Sequence, residues 1–558
     1  MTRKELILIF SCFVTILAVT SYFAHLDPDW HHDGILFKPA VDVAAGLSLF
    51  KETFTQYGAL TTYLQAGAIA IFGEQLIVLR LQAAGFLSLS GVLLYLIVSR
   101  AASTVIALIS IGIWLLMSPY MISVFLPWSS IYALFFCLLA TWLVILDATL
   151  STRYKLHFLL PTLSGFFFSA AFWARQPYGV IFPVVLFYLA IFGTLKIQAW
   201  RTVLRSGLAM SFGFLIGILL MLWWLWSEDA IEHWWLQSIL SAQTFADSRN
   251  TNSSLFSHII SSLFPEPGEI WAANSSWIWV ILPVLNLMIL VSLILLATLR
   301  KSLSEKQKIL LILSLLGVGT WHQYYPVLSI SHTFFGATPM FATVIIAAFF
   351  LVPKRALDYQ RSLLVFVFVV ALFGRDIVYR INTGTEIYPK FHIEFPTLEG
   401  MAFSNKFVTR SIRYSGTETE YFSNLERFGQ FLRTLDSLED NITLLTITED
   451  AFLPTVFRSQ NAHPITVWWH WIHKSYPNHQ TRVKEFIATN RPLIEVKKDR
   501  WGWEPASWAD PQSPQRVSLG FSDYVLLFES DYSDSGISQI LAPPEFFYAY
   551  KARLSQFQ

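Results

Sequence analysis

The chain has 558 residues, of which 54% are hydrophobic and 14% are charged, and its mean hydropathy is +0.49. A soluble domain usually carries about 25% charged residues, so this composition excludes an ordinary soluble protein and predicts a polytopic membrane protein. The formal net charge is +1, and the Lys and Arg residues lie near the ends of apolar segments. Because they are not gathered on one face, no nucleic-acid partner is predicted.

The first apolar segment, Leu6–Ala24, follows a short basic N-terminus. No small-residue cleavage site follows it, so a retained signal-anchor helix is expected rather than a cleaved signal peptide. The two cysteines, Cys12 and Cys137, both lie inside apolar segments. This usage predicts neither a disulfide framework nor a cysteine-based metal site.

An acidic, histidine-rich loop follows directly, over residues 25–57. Ionisable groups beside lipid are costly, so their concentration here predicts acid–base or metal chemistry at the membrane surface. Asp27-Pro28-Asp29 is compatible with a metal clip, but it is also a common turn and the turn is favoured. Pro39 predicts a helix over Pro39–Phe50, with Asp42 in its first turn. The ionisable residues of the loop are His25, Asp27, Asp29, His31, His32, Asp33 and Asp42.

Basic clusters between the apolar segments set the predicted topology. The positive-inside rule places these clusters on the cytoplasmic side, and parity then requires one apolar run, Ala59–Phe72, not to cross. We therefore expect about eleven transmembrane helices within residues 1–380, a cytoplasmic N-terminus, and outer loops at 25–57 and 227–276. The clusters are Arg3–Lys4, Arg153–Lys155, Lys196–Arg205, Arg300–Lys308 and Lys354–Arg361.

The composition changes at about residue 381, where charges become frequent and no further run is long enough to span a membrane. Strands are predicted at Ile442–Ile447 and Tyr524–Phe528, and helices at Ser423–Leu438 and Arg482–Thr489. Residues 381–558 are thus expected to form an extracytoplasmic α/β domain.

The predicted topology brings cations and carboxylates to the outer face. Arg175 and Gln176 lie in a turn between two spans, and His322 and His332 flank a later turn. Together with the loop carboxylates, these groups could hold a phosphate while a carboxylate removes a proton nearby. The alternatives are an Arg that extends to lipid headgroups and histidines that are satisfied by water at the interface. Trp468–Trp471 could stack on a sugar, although packing is the commoner role of such clusters.

The order of these features resembles the GT-C superfamily of membrane glycosyltransferases. The closest likeness is to the branch of protein mannosyltransferases and the lipid A aminoarabinose transferase. Ala59 stands where that branch has Pro, and Val327-Leu328-Ser329 stands where related sequences have Arg-x-Asp, so no role of that Arg or Asp is carried over. The matching residues are Asp33, Gly46, Tyr57-Gly58-Ala59, Phe72-Gly73, Arg80, Gln323-Tyr324-Tyr325-Pro326 and His332.

The resemblance implies transfer of a sugar from a polyprenyl-phosphate donor to an acceptor hydroxyl on a glycan, lipid or protein, with inversion. Asp33 would be the general base, with Asp29 and Asp27 as the other candidates. Donor phosphate would contact Arg175, His332 and Gln176, and His322, Tyr57 and Tyr325 would lie near the acceptor. No cofactor is firmly expected, and a divalent metal is an alternative. The location implied is a bacterial inner or plasma membrane.

Two other functions fit parts of the pattern. A membrane transporter would show internal repeats and broken spans in corresponding halves, and neither is visible in the sequence. A lipid-linked glycan ligase or polymerase would share the outward site and the lipid substrate but would not need an acidic first loop. A purely structural or sensory membrane protein does not explain why carboxylates and cations share one face.

Overall fold

The fold is known from a computed structural model. It describes residues 2–29, 32–55, 57–154, 158–240, 278–324, 330–353, 358–392, 395–406, 418–438, 443–447, 479–499, 510–533 and 536–554. Predicted features that fall outside these ranges include His31, Tyr325 and the Trp468–Trp471 cluster.

A bundle of long apolar helices makes up the first two thirds of the chain. Short helical turns join some of them, at Pro119–Met121, Gln176–Val180 and Trp321–Tyr324. The helices are α1 (Arg3–Ala24), α2 (His32–Ala44), α3 (Ala59–Phe72), α4 (Leu76–Ala101), α5 (Thr104–Leu116), α6 (Ser129–Tyr154), α7 (Leu159–Ala174), α8 (Ile181–Thr194), α9 (Trp200–Ser227), α10 (Ile231–Trp234, continued by a π-helix over Trp235–Leu240), α11 (Ile278–Arg300), α12 (Glu305–Thr320), α13 (Ile330–Leu351) and α14 (Asp358–Thr385).

Among the described residues, eight helices are long and apolar enough to cross a membrane. The shorter helices α5, α7 and α12 occupy three further predicted spans, so the count of about eleven stays a prediction. Large apolar side chains are exposed along α9, where Leu208 is 70% and Trp226 is 69% accessible. Such exposure is expected of a helix that faces lipid.

Helix α3, which is predicted not to cross the membrane, lies between the end of α7 and the start of α4. At its start, Thr61 Oγ1 donates to the carbonyl oxygen of Ala174, where α7 finishes. At its end, Gly73 leads directly into α4. The first loop lies at this end too, because Arg80 of α4 donates to the carbonyl oxygens of Ala24 and Leu26. We call it the first-loop end of the bundle.

The prediction for the helix of the first loop was wrong in its bounds. Helix α2 begins at His32 and ends at Ala44, so Pro39 lies inside it and not at its start. Asp42 therefore lies near the C-terminal end of the helix, where the helix dipole does not favour a carboxylate. Its charge is compensated instead by a buried ion pair with Lys38, and its second oxygen accepts from Thr53 Oγ1 at 2.7 Å.

The C-terminal region contains a four-stranded mixed sheet, which confirms the predicted strands and helices. Strand β3 is parallel to β4, and β6 pairs antiparallel with both β4 and β5, in the order β3-β4-β6-β5. A small sheet of β1 and β2 precedes it. The elements are β1 (Pro389–Phe391), β2 (Phe403–Ser404), α15 (Glu418–Asp436), β3 (Leu444–Thr446), α16 (His479–Asn490), β4 (Leu493–Asp499), α17 (Pro514–Leu519), β5 (Val525–Ser533), β6 (Gly536–Ala542) and α18 (Pro544–Leu554).

This region packs on the first-loop end of the bundle. Leu26 and Ala402 form a parallel bridge, and Gln75 Nε2 donates to Glu399 at 2.8 Å. One apolar cluster joins Phe37 and Ile77 of the bundle to Phe403 and residues of α15. The boundary predicted at residue 380 therefore separates two parts of the chain that share a core.

Helices α7 and α9 pack closely enough that their backbones touch at glycines. A Cβ at Gly213 would lie 1.8 Å from the carbonyl oxygen of Thr162, and a main-chain atom of a packed helix cannot move aside cheaply. We expect Gly213→Leu to destabilise the protein by at least about 1–3 kcal/mol, the usual range for overpacking. The matched control is Gly207→Leu on the same helix, where a Cβ meets nothing within 4 Å. Thermal unfolding in detergent would measure both, and equal Tm values would contradict the prediction.

Candidate functional site

Asp29 and Asp33 cap the start of α2 reciprocally. The Asp29 carboxylate accepts from the backbone N–H of His32 at 2.8 Å, and the Asp33 carboxylate accepts from the backbone N–H of Asp29 at 2.8 Å. The Asp29 carbonyl oxygen also accepts from the Asp33 N–H at 2.9 Å. Both carboxylates therefore satisfy N–H groups that a helix start otherwise leaves without partners.

Asp33 is fully buried and paired with Arg80. Both side chains are 0% exposed, and Nε and Nη2 of Arg80 donate to the two carboxylate oxygens. Burial raises the pKa of Asp33 above its ordinary value, and the Arg80 guanidinium opposes that shift. The guanidinium also donates to the carbonyl oxygens of Ala24, Leu26 and Asp27, so this ion pair fixes the path of the first loop.

Asp27 joins the first loop to the C-terminal region. Its carboxylate accepts from the backbone N–H and from the hydroxyl of Ser404, both at 2.6 Å. Burial raises the pKa of Asp27, while the two bonds from Ser404 act in the opposite direction. The structure thus gives Asp27 a positioning contact with Ser404 on β2.

Asp29 contacts the imidazole of His32. Its Oδ2 lies 3.0 Å from His32 Nδ1, and the side chains of Asp29 and His32 are 29% and 40% exposed. Burial would lower the pKa of His32, but the hydrogen bond to Asp29 and the charges of Asp29 and Asp33 outweigh it and raise that pKa. Among the three candidate carboxylates, Asp29 and Asp27 are partly exposed and Asp33 is not.

Trp128, just before α6, is the point at which several site residues meet. Its ring lies 5.2 Å from that of His32, 5.7 Å from that of Tyr57 and 6.2 Å from that of His332, each in an edge-on arrangement. The first loop, the residues before α3 and the start of α13 therefore converge on one indole. The Trp128 Nε1 is buried and has no hydrogen-bond partner in the described part of the chain.

Arg175 lies at the C-terminal end of α7, where the helix dipole favours a cation. Its Nη1 donates to Ser129 Oγ at 3.1 Å, and Ser129 directly follows Trp128. Within the described ranges, Arg175 Nε and the neighbouring Gln176 Nε2 are buried without a hydrogen-bond partner. A buried donor left unpaired costs about 1–3 kcal/mol, so this arrangement is typical of a site that receives an acceptor atom from a ligand.

Gly58 explains how Tyr57 comes close to this arginine. A Cβ at position 58 would lie 2.1 Å from the carbonyl oxygen of Trp173. Only glycine permits the start of α3 to approach the end of α7 so closely. The Tyr57-Gly58-Ala59 element is therefore held against Trp173 and Ala174, one residue from Arg175.

His322 is a neutral neighbour of the arginine. Burial lowers the pKa of His322 to about 4, and the charge of Arg175 acts in the same direction. Its Nδ1 lies 2.5 Å from the Gly319 carbonyl oxygen, which identifies Nδ1 as the donor, and its Nε2 then accepts from the amide of Gln323. The ring is 5.8 Å from that of Tyr178.

The structure thus brings most of the predicted residues to the first-loop end. Asp29, Tyr57, Arg175 and His332 lie around Trp128 and Ser129, and His322 lies beside Tyr178. The roles predicted for all of these residues stay predictions. Sequence reasoning named His32 in the acidic loop and Gln323 in the matched element without giving either a role, and it did not single out Trp128, Ser129 or Tyr178. A His three residues after an Asp at a helix start could have indicated a role for His32.

A metal was the alternative interpretation of the acidic loop. In the parts of the chain that the structure describes, no group of three or more His, Cys, Asp or Glu side chains is placed to hold a metal ion. Asp27 and Asp29, the two ends of the Asp-Pro-Asp turn, have separate partners in Ser404 and His32.

No protein-family model and no curated protein matches the chain. Among solved structures, it is similar to ArnT from Cupriavidus metallidurans in the apo state, at 11% identity over 96% of this chain and 97% of that one, with a TM-score of 0.49. The same protein bound to undecaprenyl phosphate gives 11% identity over 97% and 98%, with a TM-score of 0.43.

The archaeal oligosaccharyltransferase AglB from Archaeoglobus fulgidus, in complex with an inhibitory peptide and a dolichol-phosphate, is 10% identical over 97% of this chain and 81% of that one, with a TM-score of 0.47. The solved structures to which the chain is similar are thus those of an ArnT and of an oligosaccharyltransferase. With about one identical residue in ten, no residue role is carried over from them. The apolar helices identify the chain itself as an integral membrane protein.

Proposed function

We propose that the protein is an integral-membrane glycosyltransferase. It moves a sugar from a polyprenyl-phosphate-linked donor to an acceptor hydroxyl, with inversion, at the first-loop end of the bundle. The observation that carries this proposal is the position of Arg175, whose buried Nε lacks a partner in the described structure, beside the centre that also holds Asp29 and His32. A cation and a proton acceptor that both lie beside the Trp128–Ser129 dipeptide suit transfer from a phosphate.

Arginine suits the phosphate role because its planar fork can donate two parallel bonds to phosphate oxygens. The amide of Gln176 adds a second donor that has no partner in the described structure. His332, beside Trp128, is the further predicted contact. As the bond to the sugar breaks, negative charge grows on the phosphate, and pre-oriented donors stabilise that charge most in a site from which water is excluded.

The proton acceptor belongs to the first loop. The sequence resemblance implies Asp33 as the base, but in this geometry both of its oxygens contact Arg80 and none of its side chain is exposed. Asp27 contacts Ser404. Asp29 is partly exposed and contacts a histidine that faces Trp128, so the Asp29–His32 pair is the favoured proton acceptor.

The reaction follows from these positions. The acceptor oxygen attacks the anomeric carbon from the face opposite the phosphate, and its proton passes to the first-loop base. The bond between the anomeric carbon and the phosphate oxygen breaks, and its electron pair leaves with the polyprenyl phosphate. A single displacement of this kind inverts the anomeric centre, and a positioned base contributes about 10²–10⁴-fold to the rate.

The partners follow from the reaction class. The polyprenyl chain would lie in the bilayer against the exposed apolar helices, and the acceptor would be a glycan, lipid or protein that reaches the first-loop end. By the predicted topology, that end faces away from the cytoplasm, at a bacterial inner or plasma membrane. The C-terminal region, which packs on the first loop through Asp27 and Leu26, would then be extracytoplasmic.

Donor binding tests the proposal first. The full-length protein in detergent would be mixed with undecaprenyl-phosphate-linked glucose, mannose, galactose and aminoarabinose, and retained ligand would be measured by native mass spectrometry. We expect selective retention of one donor and, with an envelope extract as acceptor, release of undecaprenyl phosphate. Retention of a soluble solute with no donor retained would contradict the proposal and indicate a transporter.

A further inference from the structure

We propose that His32, held by Asp29, is the group that takes the proton from the acceptor hydroxyl. The inference rests on the proposed function and deepens it, because it names the atom on which the proton arrives. Asp29 then acts as the positioning carboxylate and not as the base itself. This assignment differs from the carboxylate base that the sequence resemblance implies.

The contact between the two side chains fixes the form of the imidazole. Asp29 Oδ2 lies 3.0 Å from His32 Nδ1, and a carboxylate can only accept, so Nδ1 carries the hydrogen. The basic lone pair of a neutral imidazole is then on Nε2. Asp29 Oδ1 is occupied as well, because it accepts from the His32 backbone N–H at 2.8 Å. Both oxygens thus hold the histidine in place.

The histidine is also the member of the pair that projects further from the protein. Its side chain is 40% exposed against 29% for Asp29. The ring contacts Trp128 edge-on at 5.2 Å, which places it at the junction with Tyr57 and His332. Ser129, the residue after Trp128, accepts a hydrogen bond from Arg175. The His32 imidazole therefore contacts the first residue of the Trp128–Ser129 dipeptide, and the Arg175 guanidinium contacts the second.

The charged groups around His32 favour a protonated imidazole after the transfer. Asp29 and Asp33 face it from its own element and stabilise its positive charge, which raises its pKa. Arg80 from α4 partly offsets Asp33 by pairing with it. In the described part of the chain, His332 from α13 and Tyr57 are further titratable groups that lie near the same indole. The arrangement of Asp29 and His32 resembles a carboxylate–histidine pair in which the carboxylate orients and stabilises the imidazolium.

The acceptor O–H gives its proton to His32 Nε2 while its oxygen bonds to the anomeric carbon. The bond from that carbon to the phosphate oxygen breaks, and the electron pair leaves on the polyprenyl phosphate. His32 becomes a cation held by Asp29 and later releases the proton to water. The working form is therefore the neutral imidazole, so the rate rises as pH increases through the pKa of His32.

Two measurements on the full chain in nanodiscs test the inference. In the first, which needs no ligand, ¹³C-labelled histidine signals are titrated by NMR, and the His32 signal among the 13 histidines is assigned by its loss in His32→Gln. We expect a midpoint above 6.5 in the wild type and a lower midpoint in Asp29→Asn. In the second, release of undecaprenyl phosphate from the retained donor of the panel is followed against pH.

We expect His32→Gln to lower the rate of undecaprenyl phosphate release about 10²–10⁴-fold, while the variant still retains donor. In Asp29→Asn, the acidic limb of the pH–rate profile is expected to move to lower pH. Added imidazole is expected to restore part of the activity of His32→Gly. The matched control is His25→Gln in the same loop, whose ring contacts the Ser21 carbonyl oxygen and whose turnover should not change.

The inference is overturned if His32→Gln turns over like the wild type, or if Asp29→Asn leaves both the NMR midpoint and the pH limb in place. It is also overturned if imidazole restores nothing while His32→Gly retains donor. None of these outcomes removes the proposed function, provided that the wild type retains the donor and transfers its sugar. Loss of donor retention by the wild type is a different result, which removes the proposed function and the inference with it.

Discussion

Replacement of Arg175 by Gln is expected to abolish selective donor retention and to lower transfer about 10²–10³-fold, the usual effect of removing one preorganised donor from a site where charge develops. Arg175 is the cation at the end of α7 whose Nε has no partner in the described structure. Gln keeps a neutral hydrogen-bond donor, but it removes the charge and the fork that matches a phosphate.

Arg175→Lys separates charge from geometry. Lysine keeps a point charge without the planar fork, so we expect it to retain donor more weakly than the wild type and more strongly than Gln. Native mass spectrometry on the donor panel measures retention, and release of undecaprenyl phosphate measures turnover. The control is Arg100→Gln in the last turn of α4, at the opposite end of the bundle. Equal donor retention in Arg175→Gln and Arg100→Gln would show that Arg175 does not bind the donor.

Much of the fold could be predicted because hydropathy and charge act locally. Apolar runs and flanking basic residues indicated the long apolar helices of the bundle, and the parity argument that Ala59–Phe72 does not cross stays a prediction. In the C-terminal region, short apolar runs indicated two of the strands, β3 and β5, and two of the helices, α15 and α16. The bounds of α2 were wrong because Pro39 was read as a helix start, whereas the reciprocal caps of Asp29 and Asp33 set that start seven residues earlier.

The distribution of roles within the site could not be predicted, because it depends on contacts between distant parts of the chain. The Arg80 partner of Asp33 is 47 residues away, and the Ser404 partner of Asp27 is 377 residues away. No local pattern distinguishes a carboxylate that ends in such a pair from one that faces a cavity. Trp128 likewise has no motif around it, and only the meeting of three chain segments on its ring makes it central.

The ion pair of Asp33 with Arg80 should be the most sensitive point for stability. Arg80→Met leaves a fully buried carboxylate without its cation and removes the donors to the carbonyl oxygens of Ala24, Leu26 and Asp27. Breaking a buried pair from one side typically costs about 3–5 kcal/mol. We therefore expect a clearly lower Tm in detergent than for Arg205→Met, which alters an exposed arginine on α9.

The pH dependence of that defect identifies its cause. Arg80 lowers the pKa of Asp33 against the rise caused by burial, so its loss leaves a carboxyl whose folded pKa lies further above the unfolded value. Such a group contributes stability when it is protonated, and that stability is lost as pH rises through the folded pKa. The Tm deficit of Arg80→Met should therefore shrink in acid, and Arg80→Met/Asp33→Asn should recover part of it at neutral pH, since no buried charge is left alone. A deficit that is independent of pH and unchanged in the double variant would assign the loss to the carbonyl contacts of Arg80, and the pair would then hold the first loop by hydrogen bonding alone.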